Sequence, residues 1–133
     1  MSQEALAIAR SASETAAQFA ELLATRYGDI ANALRNGDDA PALDALGAST
    51  DEVEQFLIFL IFAADLVQRN DAEFAQTLRG YHRRLMTIFE TLGPALKDMD
   101  LVEVADTLEH DVVTSLNEYR ELDDGVQGAL KAA

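Results

Sequence analysis

The sequence contains no cysteine, and only two lysines stand beside its eight arginines. The absence of cysteine excludes disulfide bonds, thiolate catalysis and zinc sites built on cysteine. No apolar run reaches the roughly 20 residues that a membrane-spanning helix requires. The first residues also lack the basic and long apolar segments of a secretory signal peptide. We therefore expect a cytoplasmic protein that does not enter a membrane.

Basic residues are scarce as well, with 10 against 24 acidic residues and a formal net charge of −14. A field of this sign opposes binding to phosphate backbones, so we expect no nucleic acid partner. Anionic membrane surfaces are disfavoured for the same reason. The acidity is compatible with a basic protein partner, with a need for solubility, or with a salty cytoplasm.

Motifs for catalysis or metal binding are missing. The chain has two histidines, His82 and His110, and the residues three positions before them are Arg79 and Thr107. The Glu-x-x-His pairs of carboxylate-bridged di-metal bundles are therefore absent. The sequence also offers no nucleophile elbow and no glycine loop that could cradle a phosphate. We expect no enzyme, no catalytic residues, no metal and no cofactor.

Nine consecutive apolar residues, Phe56 to Ala64, form the most apolar stretch of the 133-residue chain. Ser49 and Glu52 form a capping-box pattern just before it, and no turn signal follows it, so we predict a helix. A helix that is apolar on nearly every side should be surrounded by protein. Other helices of the chain could cover it alone, or a second subunit could cover part of it. We favour a bundle core combined with a homodimer contact.

The other segments show apolar residues every three or four positions, which is typical of helices that pack on one side. Gly93-Pro94 should bend or break the third long segment, and Gly125 and Gly128 predict a frayed chain end. Four long helices with short connections favour an all-α, up-and-down four-helix bundle with a short extra helix between helices 1 and 2. We expect one domain over 1–133, with helices at about 3–36, 39–46, 50–69, 71–97 and 100–123.

Charge is distributed unevenly along the chain. Residues 98–133 contain ten acidic and two basic residues, whereas three of the ten bases lie between Arg79 and Arg84. If the last two helices form a hairpin that turns near residue 98, the arginines at 83 and 84 should lie level with 109–113 and form internal ion pairs. Alternatively the cluster binds a partner, because arginine and aromatic residues are typical binding hot spots. The candidate partner-binding residues are Phe56, Phe59, Phe62, Arg79, Tyr81, Arg83 and Arg84.

One segment, Pro94 to Asp111, contains an Ala-Leu pair, an acid-rich turn and the pattern Val-x-x-Ala-Asp-x-Leu-Glu. It resembles a stretch of a family of small, uncharacterised, all-helical bacterial proteins, although His110 stands where tyrosine is usual. That family is sometimes associated with motility genes, so the resemblance implies an accessory role around flagellar assembly. It supplies no catalytic residues. The matching positions are Ala95, Leu96, Asp100, Val102, Ala105, Asp106, Leu108, Glu109 and Asp111.

These observations favour a non-enzymatic protein-binding module, such as an assembly adaptor or an export chaperone. We expect it to capture an amphipathic helix or a basic segment of a protein partner. The alternative is a bundle that holds a small apolar ligand or a lipid chain between its helices. In that case Phe56, Phe59, Phe62 and Phe89 should line the space.

Overall fold

The computed structural model describes residues 2–131, which contain helices and no strand. The all-α four-helix bundle predicted from the sequence is confirmed. Its fourth long helix is a continuous unit formed by α5, a π-helical segment and α6, and we call this unit the last helix. The elements are α1 (Gln3–Arg35), α2 (Asp39–Ala48), α3 (Thr50–Val67), α4 (Ala72–Lys97), α5 (Leu101–Asp106), the π-helical segment (Thr107–Val112) and α6 (Val113–Lys131).

The bundle is assembled from two helix pairs. α1 packs mainly against α6, and α3 packs mainly against α4. Alanines at 17, 20 and 24 of α1 are buried and leave little side-chain volume between helix axes, so α6 can approach α1 closely. The core between the pairs contains the buried phenol rings of Tyr27, Tyr81 and Tyr119.

Two helices end in the same hydrogen-bonded motif. Beyond α1, Gly37 has φ of 84°, and the N–H of Asp38 returns to the carbonyl of Ala33 at 2.9 Å. This Schellman arrangement explains why the predicted stop at the Asn-Gly pair is confirmed. Beyond α4, Met99 takes the left-handed position with φ of 54°, and the N–H of Asp100 bonds the carbonyl of Ala95 at 2.9 Å.

The capping box predicted at Ser49 is wrong. Ser49 has helical backbone angles, because α2 ends one residue before it, and its side chain makes no bond to the first turn of α3. Its hydroxyl instead donates to the carbonyl of Leu46 at 2.7 Å and pairs with the hydroxyl of Tyr27 at 2.7 Å. The serine therefore ties α3 to α1 and α2.

Two helices are more continuous than their glycines and proline suggested. α4 has no break at Gly93-Pro94 and runs on to Lys97. The last helix continues to Lys131 rather than fraying near residue 123. Burial of Val126 and Leu130 in the core explains the second difference, because their packing offsets the low helix propensity of the neighbouring glycines.

The π-helical segment has a cause in the spacing of the core residues. Val104, Leu108, Val112 and Leu116 are all buried and follow one another at intervals of four. On a regular α-helix three such steps would drift by about 120° around the axis. A π-helical turn is wider, and the N–H of Val113 bonds the carbonyl of Leu108, five residues earlier. The wider turn keeps the four side chains facing the core.

Candidate functional site

Exposed apolar surface is concentrated on α1 and α3. Of the eight large apolar side chains that are exposed among residues 2–131, five belong to these two helices. This surface excludes the alternative that other helices of the chain cover the apolar run alone, since Ile58, Ile61 and Phe62 are 62%, 50% and 51% exposed. The five side chains are Ile8, Leu22, Ile58, Ile61 and Phe62.

A groove runs between α1 and α3. These two helices pack little against each other, because α1 packs mainly against α6 and α3 mainly against α4. We call it the apolar groove and define it by Ile8, Ala12 and Phe19 of α1 and by Phe56 and Phe59 of α3. Its volume is about 500 Å³. The α1 residues are spaced by four and seven positions, so they share one helix face.

The floor of the apolar groove rests on Tyr119 of α6. The rings of Phe56 and Phe59 meet the Tyr119 ring nearly edge-on, at centroid distances of 5.3 and 6.2 Å. The buried hydroxyl of Ser13 donates to Asp123 at 2.6 Å, and the Tyr119 hydroxyl lies 2.7 Å from Ser13. Because a serine hydroxyl has one hydrogen, Tyr119 must donate to Ser13. A chain of hydrogen bonds thus links the groove floor to a buried carboxylate.

This polar network was not predicted from the sequence. Asp123 is only 4% exposed and also accepts a bond from Gln127 at 3.1 Å. Its position on the apolar stripe of α6, four residues after Tyr119 and three before Val126, was the available signal. Ser13 is fully buried, so substrate could not reach it as a nucleophile. The network therefore fixes the alignment of α1 with α6. Burial raises the pKa of the Tyr119 phenol, which stays neutral.

The arginine cluster divides between internal pairing and exposure. Arg79 bonds Asp65 at 3.1 Å, and Arg84 pairs with Glu118 at 3.4 Å and lies over the Tyr81 ring. Arg83 is exposed, and no ion pair in residues 2–131 includes it.

Tyr81 is not available to a partner. It is 1% exposed and donates its hydroxyl to the carbonyl of Ser115 at 2.5 Å. Burial also raises the pKa of its phenol. The prediction that Tyr81 serves as a surface hot spot is therefore wrong.

The prediction that Arg83 and Arg84 lie opposite residues 109–113 of the last helix is also wrong. Arg84 meets Glu118, more than one turn beyond 109–113. Of the acidic residues in that stretch, Glu109 pairs with Arg35 of α1 at 2.5 Å, and Arg35 also bonds Asp106, one turn earlier, at 2.9 Å. Both partners raise the pKa of the Arg35 guanidinium.

The four phenylalanines suggested for an apolar ligand do not share one space. Phe56 is buried in the floor of the apolar groove, together with the half-buried Phe59. Phe89 lies elsewhere, 5.8 Å from the ring of Tyr27, and Phe62 projects into solvent. The positions of these four residues therefore do not support an interior ligand that contacts all of them.

Comparison with protein-family models, curated proteins and solved structures found no match. Within residues 2–131, no group of three or more acidic or histidine side chains is arranged to hold a metal ion. The same part of the chain contains no helix with the length and apolar character needed to cross a membrane. The apolar groove and the exposed face of α3 together contain four of the eight exposed large apolar side chains of residues 2–131.

Proposed function

We propose that the protein is a non-enzymatic, cytoplasmic protein-binding module that captures an amphipathic helix of a partner in the apolar groove. The observation that supports this proposal is the open groove between α1 and α3, with Ile8 64% exposed at its edge. A third helix laid along two helices buries its own apolar face and theirs together, which is a recurrent mode of peptide recognition.

The charges near the groove favour a partner helix with basic residues. Glu4 lies one turn before Ile8 on α1, and Asp51 lies one turn before Gln55 on α3, so an exposed carboxylate stands near each end of the groove. Arg26, at the far end of the same α1 face, is already paired with Glu52. The net charge of −14 adds a long-range attraction for a basic helix.

An assembly adaptor or export chaperone is the form of this function that we favour. Such proteins shield the apolar face of an amphipathic segment before it reaches its final partner. We propose a role around flagellar assembly or a related secretion process because the segment from Pro94 to Asp111 resembles proteins associated with motility genes.

A peptide titration tests the proposal. The probe is a labelled synthetic helix with leucines on one face and lysines on the other, and binding is followed by fluorescence anisotropy. We expect Ile8→Glu to weaken binding by about tenfold or more, which corresponds to about 1.4 kcal/mol, because it places a carboxylate in the groove. Val102→Glu on α5 is the matched control, since Val102 is 71% exposed and remote from the groove.

The peptide of the same composition in scrambled order is the second control, because it retains the charge but has no apolar face. Equal binding of both peptides would reduce the interaction to charge attraction and contradict the proposed groove. So would equal losses of affinity in Ile8→Glu and Val102→Glu. If the groove does bind the amphipathic peptide, crosslinking of the wild-type protein in host lysate would identify the natural partner.

A further inference from the structure

The outer face of α3 is a second unpartnered apolar surface, distinct from the apolar groove. It consists of Ile58, Ile61 and Phe62, which are all at least half exposed and are spaced by three and four residues. Ile61 lies on the side of α4, where it lines a shallow pocket of about 220 Å³ with Arg79 and Arg83. Ile61 thus lies beside basic residues of the neighbouring helix.

The charges around the outer face are divided by position. Asp51 and Glu54 are exposed at the N-terminal end of α3 and one turn before Ile58. Arg69 is exposed just beyond the C-terminal end of α3, and Arg79 and Arg83 flank that half from α4. Asp65 also lies in this half, and its ion pair with Arg79 offsets both charges, so Arg69 and Arg83 supply the net positive charge there. In a chain of net charge −14, this concentration of arginine is the exception.

We propose that the outer face of α3 binds a second copy of this chain, with the two α3 helices antiparallel about a two-fold axis. In this arrangement the acidic end of each face meets the basic end of the other, and the apolar residues meet at the centre. A parallel arrangement would bring Asp51 against Asp51 and Arg69 against Arg69. A two-fold interface must be self-complementary, and the division of charge on this face satisfies that condition only in the antiparallel orientation.

The size of the face sets the strength of the dimer. A standard interface buries roughly 800 Å² of each partner, and three half-exposed side chains supply only part of that area. The flanking side chains of α4 must therefore contribute, and the dimer should dissociate on dilution. Added salt should weaken it further, because its orientation depends on exposed charges.

Sedimentation equilibrium over a wide range of protein concentration tests the inference. We expect a reversible monomer–dimer equilibrium for the wild-type protein and at least about tenfold weaker association for Ile61→Glu. The control Val102→Glu should associate like the wild type. A wild-type protein that stays monomeric at every concentration would overturn the inference, as would a dimer that Ile61→Glu leaves unchanged.

A charge exchange tests the orientation. Asp51→Lys/Glu54→Lys makes the whole face basic, and Arg69→Glu/Arg83→Glu makes it acidic. Each variant alone should lose self-association, whereas their mixture should form a heterodimer. Failure of the mixture to associate, with both variants folded by circular dichroism, would contradict the antiparallel arrangement. Ile61 does not line the apolar groove, so peptide binding by Ile61→Glu shows whether the proposed function survives the loss of the dimer.

Discussion

α3 is the more apolar helix and α6 the more polar one, yet α3 is the helix that leaves large apolar side chains exposed. α3 contains the whole nine-residue apolar run of the chain, and Ile58, Ile61 and Phe62 are exposed. α6 is rich in acids, yet it buries Tyr119 and Asp123. The cause is position, because α6 packs closely along α1 whereas α3 has close contact mainly with α4. Apolar composition alone therefore does not decide which helix forms the core of a bundle.

The largest expected effect is a difference in unfolding free energy between two substitutions, each of which removes an aromatic ring from one of these helices. Tyr119→Ala should lower the free energy of unfolding by about 3–5 kcal/mol, since it removes a fully buried ring. Phe62→Ala should change it by less than about 0.5 kcal/mol, because half of that side chain already faces water. Urea denaturation measures both. Similar losses in the two variants would show that α3 is covered in solution, for instance by a second copy at the concentration used.

The next effect concerns the polar residues that α6 buries. Asp123→Ala should cost about 1–3 kcal/mol, since the buried hydroxyl of Ser13 loses its acceptor. The neighbouring Asp124 is exposed, and Asp124→Ala is therefore the matched control with almost no expected change. The double variant Ser13→Ala/Asp123→Leu replaces both polar groups with apolar ones. If it is more stable than Asp123→Ala and matches the wild type, the network aligns α1 with α6 and adds no net stability. Equal effects of Asp123→Ala and Asp124→Ala would contradict the buried network.

Local patterns predicted the fold well, and they predicted the surface less well. The helices, their short connections and the stop at Gly37 follow from periodicity and turn residues that act within a few positions. The burial of α3 depends on how the α1–α6 pair packs against the α3–α4 pair. Periodicity within a single helix does not determine that arrangement. The run from Phe56 to Ala64 predicted a helix surrounded by protein, but it did not show which of its residues the other helices of the chain leave exposed.

The candidate site shows the same limit. Phe56, Phe59 and Phe62 were selected for their apolar character, and two of them line the groove or its floor while the third is exposed. Tyr81 is buried because it lies on the same face of α4 as Leu78 and Leu85, which are also buried. The meeting of Arg84 with Glu118 rather than with 109–113 reflects how the two helices slide along each other, and loop length does not determine that offset.

The smallest effect is a pH dependence beside the outer face of α3. Partial burial, with a smaller contribution from Arg83, lowers the pKa of His82 below its unperturbed value of about 6.5. The unfolded chain then binds more protons than the folded chain between the two values. The stability that neutral His82 contributes is present above about pH 6.5 and is lost as the pH falls through the lowered pKa.

Two variants sharpen this test of the α3–α4 surface. His82→Gln should flatten the decline of the unfolding free energy of the wild type below about pH 6.5, because glutamine does not titrate. Arg83→Gln should raise the His82 pKa, as measured by NMR titration, because it removes a like charge next to the imidazole. The rise should be partial, since burial is the larger cause and remains. If Arg83→Gln leaves the His82 pKa unchanged, the Arg83 side chain does not lie next to His82. That result would weaken the charge division on which the antiparallel dimer depends.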